Sequence, residues 1–250
     1  MKKVLLFFCL ALGAALAVAC FSIGKDHRGK KVNCTHIAQT GPEKAALPTD
    51  YLASFLGIPV GQPLVFAEFD LNAAEQRLLA CPVIEKAAVT EEEKGVLLID
   101  YTLRMPVAFL GDFSNCALDQ KGHCFPFFPF FTPKTIPSFY FGLQTLPKTP
   151  LKGVEVDLAF AVLDTLEKLF PTRFPKVIAI DVSKVAQSYL GRREIVVTLT
   201  TRSGYLHYLR LTPERYFDEL KRYASICSQW PGNLTFDLRV NQLAFIKSRA

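Results

Sequence analysis

The sequence predicts an α+β chain: an apolar N-terminal helix, a small strand–helix–helix–strand–strand module, and a larger mixed, mainly antiparallel β-rich domain with two or more helices. Three observations predict it. Val4 to Ile23 is an unbroken run without charge. Pro82 to Ala108 carries the period-two pattern of a β-hairpin. Beyond Ala108, short alternating segments separated by turn residues surround two stretches with helical spacing. The implied spans are a cytoplasmic end at 1–3, a membrane segment at 4–23, a linker at 24–30, the small module at 31–109 and the β-rich domain at 110–250.

The apolar run follows Met1, Lys2 and Lys3, and its roughly twenty residues suffice to cross a bilayer as a helix. Two readings compete. A signal anchor stays in the membrane; a cleaved signal uses Ala17-Val18-Ala19 as a small-residue site, or Cys20 as a lipidated cysteine. Both export everything after Lys25. The basic residues Lys25, Arg28, Lys30 and Lys31 then sit on the outer side, against the positive-inside preference of an anchor.

In the small module, Lys31 to Ile37 reads as a first strand, followed by a loop at Gly41-Pro42. Thr49 is placed to cap a short helix, Asp50 to Leu56, which Gly57 and Pro59 stop. Asp70 caps a second helix, Asp70 to Ala80, and Pro82 forbids its continuation. Val83 to Glu91 and Val96 to Arg104 form the hairpin, with Gly95 free to take positive φ. Leu97, Ile99, Tyr101 and Leu103 share its buried face, and a one-residue slip would expose all four.

In the larger domain, Leu118 to Phe125 reads as strand, turn, strand, with Asp119 and Gly122 in the turn. Phe125 to Phe141 is crowded with phenylalanine and broken by Pro126, Pro129, Pro133 and Pro137. Prolines at this spacing exclude a helix and a central strand but allow an edge. The expectation is an extended segment packing its rings onto the core; the alternative is an exposed partner or membrane patch. Leu143 to Gly153 is a connector. Val154 to Phe170 is a helix, Val177 to Val182 and Glu194 to Thr201 are strands, and Arg202-Ser203-Gly204 turns the latter into Tyr205 to Leu211. Thr212 and Pro213 mark the start of a helix from Glu214 to Ile226. Leu234 to Val240 and Leu243 to Lys247 are the last strands.

Composition narrows the function. With half of its 250 residues apolar, the chain can bury a core, and its net charge of +6 is too diffuse to argue for nucleic acid. Cys34, Cys81, Cys116, Cys124 and Cys227 follow the apolar run, an odd number that leaves one unpaired in an oxidising compartment. Cys116 and Cys124 flank a turn and are the candidate disulfide; buried free thiols are the alternative. A metal site from Cys116, His123 and Cys124 lacks a fourth ligand. No G-x-S-x-G elbow, P-loop, GxGxxG or H-E-x-x-H occurs, and His36 and His207 alternate within strands. Without a base, nucleophile, metal or cofactor set, the chain reads as a binder and not an enzyme.

The order of elements up to Ala108 matches a POTRA-like module. Five short motifs then resemble the FtsQ/DivIB family of bacterial cell-division proteins. They are Pro82-x-Ile84 with Ala87 and Val89; Arg104-x-Pro106-x-Ala108; Leu118-Asp119-x-x-Gly122-x-x-Phe125; Ile136-Pro137 with Gly142; and Phe236-Asp237-Leu238-Arg239. The sequence departs from the family at Leu103, where an acidic residue is usual, and at Glu91 to Glu93, which are often basic. A proline common near Lys94 is missing. The resemblance implies a single-pass protein of the inner membrane, held by a signal anchor, with a POTRA domain and a β domain in the periplasm at the division septum. It implies no reaction and no cofactor, and a scaffold role with two small coiled-coil membrane proteins, FtsB and FtsL. The family's docking edge maps to Arg239, Val240, Asn241, Gln242, Ala244 and Phe245. A partner strand can add there by main-chain hydrogen bonds, with Phe245 as the anchor. The alternative from a different class is an exported lipoprotein adaptor whose module serves something other than division.

Overall fold

A computed structural model describes residues 33–34, 36–40, 47–58, 64–92, 95–172, 174–186 and 193–249. The expected cytoplasmic end, membrane segment and linker, the Gly41-Pro42 loop, Pro59, and Glu93 and Lys94 in the hairpin turn lie outside these residues. Among the described residues no helix is long and apolar enough to cross a membrane. The protein is α+β, and it divides into two compact units, Met1–Thr102 and Leu103–Ala250.

In the first unit, β1 (Asn33–Cys34) pairs antiparallel with β3 (Leu64–Val65), and β2 (His36–Thr40) runs parallel to β5 (Val96–Leu103). Within the expected first strand, Lys31 to Ile37, the described residues Asn33–Cys34 form β1, and His36 and Ile37 begin β2, which continues to Thr40 beside Val96 to Asp100. With β4 (Ile84–Glu92) the sheet order is β2-β5-β4, and Gly95 turns the hairpin at φ 81°. Leu97, Ile99 and Tyr101 are buried from the middle strand, as its alternation requires. Helix α1 (Thr49–Leu56) and helix α2 (Leu71–Leu79) supply Leu52, Leu56, Ala74 and Leu78 to this core. Asp70 caps α2, accepting from Ala73 N at 3.0 Å. Thr49 does not cap α1; its hydroxyl accepts from Gln39 Nε2 at 2.9 Å, and Pro48 holds the cap position.

In the second unit one mixed sheet has the order β14-β13-β12-β11-β10-β9-β6-β7-β8. Its strands are β6 (Ala108–Leu110), β7 (Cys116–Leu118), β8 (Cys124–Pro126), β9 (Ser138–Tyr140), β10 (Lys176–Asp181), β11 (Ile195–Thr200), β12 (Leu206–Leu211), β13 (Leu234–Asp237) and β14 (Phe245–Ser248). Neighbours are antiparallel except β6/β9, β9/β10 and β12/β13. The aromatic run therefore contributes a central strand, contrary to the expectation of an edge at most. Proline does not prevent it, because Pro137 stands just before β9, where its carbonyl accepts from Phe109 N at 2.8 Å.

Helices α3 (Val154–Leu169) and α4 (Tyr216–Ile226) join the sheet's core. Phe160 of α3 meets Phe139 edge-on, and Tyr223 of α4 packs against Phe236. Leu209, Val197, Ile180 and Phe139 fill the same layer, each fully buried. The β6–β8 end has a second apolar cluster, where the run folds back. Phe127 contacts Phe109, Phe128 and Phe131 at centroid separations of 5.0, 5.2 and 5.4 Å. Phe125, Phe127 and Phe139 are buried, while Phe128 is 53% exposed. Packing onto the domain is thus the outcome for most of the run.

Helix α4 begins two residues later than Thr212-Pro213 suggests. Arg215 N donates to Thr212 O in a turn, and Glu219 reaches back to accept from Thr212 N at 2.7 Å and its hydroxyl at 2.8 Å. The hydroxyl expected to cap the helix is a donor to a buried carboxylate.

Candidate partner-binding edge

Strand β14 closes one end of the nine-stranded sheet, with β13 its neighbour on the inner side. Arg249 N donates to Asn233 O at 2.9 Å, which fixes 233/249 as a hydrogen-bonded pair. Antiparallel pairs alternate, so 235/247 and 237/245 are hydrogen-bonded, and 234/248 and 236/246 are not. The backbone groups of Ile246 and Ser248 therefore point away from the sheet. They are the positions at which an added strand can pair. Side chains alternate too: Ile246 packs on the core, and Phe245 stands 58% exposed.

The segment leading into β14 is held from helix α4. Arg222 Nη1 donates to the carbonyls of Leu238, Val240 and Leu243 at 3.3, 3.1 and 2.6 Å. Arg215 Nη2 donates to Arg239 O at 2.6 Å. These guanidiniums fix the loop so that Val240 and Leu243 are exposed beside Phe245. Asn241 is exposed at the tip, Gln242 is exposed in the left-handed region at φ 59°, and Ala244 packs partly against the core.

Arg239 sits differently from its neighbours. Its guanidinium grips Asp237 at 2.6 and 2.8 Å and reaches Glu194 at 3.1 Å. Glu194, nearly buried, also accepts from Arg210 at 2.6 Å and Lys184 at 3.1 Å. Hydrogen bonds from Arg239 hold the Asp237 carboxyl below its ordinary range, and Asp237 in turn pushes the guanidinium up. Burial alone would raise Glu194, yet hydrogen bonds from Arg210 and Lys184 bring it below its ordinary value. Arg239 thus shapes the base of the loop, and the exposed surface begins at Val240.

Two other motif stretches meet in the structure. Arg104 Nη1 contacts Asp119 Oδ2 at 3.0 Å, so the exit of the hairpin and the turn after Leu118 are tied by a mostly buried ion pair. Asp119 also accepts from the backbone N–H of Lys121 and His123, both at 2.9 Å. Cys116 and Cys124 stand on the neighbouring strands β7 and β8, and both are free thiols; Cys34, Cys81 and Cys227 are free as well.

Sequence reasoning missed Glu194, Arg210, Arg215 and Arg222. Arg215 and Arg222 are seven residues apart, two turns along one helical face, and that spacing is the signal available for them. It also missed a concavity of about 470 Å³ walled by Phe170, Phe174, Tyr205, Tyr223 and Trp230, with the Arg202 guanidinium 5.6 Å above the Phe174 ring. Among the described residues no three His, Cys, Asp or Glu side chains gather to hold a metal ion. No protein-family model matches the chain, and no curated protein does.

Proposed function

We propose that the chain is a non-enzymatic, single-pass scaffold of the bacterial cell-division machinery, of the FtsQ/DivIB kind. It is anchored in the inner membrane through Val4 to Ile23, with a POTRA-like module and a β-rich domain in the periplasm at the septum. The observation that carries this reading is the β14 edge. It offers outward backbone groups at Ile246 and Ser248 and the exposed Phe245 ring, directly after a loop held by Arg222. That is the chemistry of strand addition: main-chain hydrogen bonds supply affinity, and a ring at an alternate position supplies specificity. Apart from the short β1/β3 pair, the first unit follows a βααββ order, with β2 parallel to β5, and this supports the POTRA-like assignment. Small coiled-coil membrane proteins of the FtsB and FtsL kind are the partners the reading requires.

Site-specific photo-crosslinking from Gln242 in living cells tests it, with the captured partner identified by mass spectrometry. A small single-pass coiled-coil division protein is the expected product. Absence of both the crosslink and septal localisation would sink the division reading. An exported adaptor with a lipid on Cys20 would then take its place, recognisable from the mass of the mature protein.

A further inference from the structure

Three segments of the second unit meet where β10 and β12 begin and β11 ends, and the concavity of about 470 Å³ lies between them. They are the connection from α3 to β10, which carries Phe170 and Phe174; the turn from Thr201 to Tyr205; and the chain leaving α4, which carries Trp230. The turn is closed by Thr201 N donating to Tyr205 O at 2.8 Å and Gly204 N to Thr201 O at 3.0 Å. The floor is a fixed pair of rings. Tyr223 is fully buried with its hydroxyl hydrogen-bonded to His207 Nδ1 at 2.7 Å, and Phe170 meets its ring edge-on at 6.1 Å. The rim is aromatic too, with Phe174, Tyr205 and Trp230 exposed by 40, 41 and 46%. A cavity of this size suits a small ligand, and rings already held by the fold lose little freedom when one covers them.

Charge selects the ligand. Arg202, exposed in the turn, holds its guanidinium 5.6 Å above the Phe174 ring. Among the described residues no carboxylate lines the concavity, and Arg202 is in no ion pair. A cationic guest would meet that guanidinium with no anion to offset it. The C-terminal ends of α3 and α4 border the floor, and their partial negative charge opposes an anion deep in the cavity, but that effect is small and fades beyond the last turn. A carboxylate at the rim gains charge-assisted hydrogen bonds from Arg202, which is the larger effect. An apolar ring therefore belongs on the floor and its carboxylate at the rim. The volume exceeds what one ring fills, and the hydroxyl-bearing Ser203 and Ser228 line the remainder, which suits polar main chain beyond the ring. We propose that this concavity binds the carboxyl-terminal aromatic residue of a peptide, its ring against Phe170 and Tyr223 and its carboxylate on Arg202. The proposal does not depend on the reading of β14.

Trp230 makes the test direct, because it is the single tryptophan of the chain. The full chain is titrated with acetyl-alanyl-alanyl-phenylalanine, with its carboxamide, with N-acetylphenylalanine and with tetramethylammonium, while indole emission is followed. The tripeptide acid should move the emission to shorter wavelength, saturate, and bind about fivefold more tightly than its amide. Arg202→Gln removes an exposed side chain, so the melting point should hold within about 1 °C while the acid loses its advantage over the amide. Emission unmoved by the acid up to about 10 mM would overturn the proposal, as would equal affinity for acid and amide in the unsubstituted chain. N-acetylphenylalanine binding as tightly as the tripeptide would overturn the assignment to a peptide. A saturable shift with tetramethylammonium would overturn the assignment to an anion.

Discussion

Glu194 gathers three cations from separate segments: Lys184, Arg210 and Arg239. Removing it by Glu194→Ala leaves those cations clustered without their central anion. Arg210 and Lys184 are themselves partly exposed and can rehydrate, so the expected loss is about 2 kcal/mol, below that of a fully buried pair. Urea unfolding measures it. The carboxylates of Asp119, Glu194 and Asp237 all stand below their ordinary values, so the unfolded chain binds more protons than the folded one in acid. Their contribution is complete above about pH 5.5, begins to be lost as the unfolded carboxylates protonate below that, and is gone once pH falls through the lowered folded-state values. His207 adds an earlier step. Burial lowers it, its Nδ1 meets the Tyr223 hydroxyl at 2.7 Å, and the unfolded chain takes up a proton first. Thermal midpoints should therefore begin to fall as pH drops below about 6.5, and His207→Gln should flatten that first stage while leaving the carboxylate stage. None of this was legible in the sequence. Glu194's partners lie up to 45 positions away, and a charged residue that alternates within a strand looks like solvated surface until its neighbours across the sheet are known.

Helices and strands were more readable than their neighbours in space. The caps, prolines and alternation that mark α2, β5 and β12 are local, and the structure places them within a residue or two. The insertion of β9 between β6 and β10 is not local: it depends on parallel partners 29 and 41 positions distant, which no pattern within Ser138–Tyr140 announces. Two predictions belong at this scale. Gly122 holds φ 80°, and a Cβ there would lie 2.2 Å from Leu151 O, a backbone atom. Gly122→Ala should cost about 2 kcal/mol or more and loosen the connector, seen as faster hydrogen exchange at Leu151 N, which donates to Gly122 O. On β14 two proline substitutions separate the ladder from the open edge. Ser248→Pro removes an outward N–H and should leave the melting point within about 1 °C while weakening partner binding roughly tenfold. Lys247→Pro removes an inward donor and should itself destabilise by about 1 kcal/mol or more. Equal effects from the two would show that β14 is not the docking edge.

The second unit draws its core from its own residues: every member of that cluster lies between Val107 and Ile246. A chain beginning at Leu103 should therefore fold without the first unit and unfold cooperatively, with near-UV dichroism as the readout. Loss of that signal would show that its stability is borrowed. Composition announced a sizeable core, but not that one sheet would span nine strands and leave two ends of different chemistry. At one end β14 offers backbone donors. At the other, position 126 belongs to a non-hydrogen-bonded pair, so its backbone faces outward, and there the chain carries proline, which has no N–H to give. A second copy laying its β8 along β14 would form a head-to-tail contact, the kind that propagates into fibres when nothing closes the ring. Pro126 withholds a donor from each such junction. On the proposed reading β14 stays open for a foreign strand, and the proline at position 126 disfavours the chain's own β8 as its occupant.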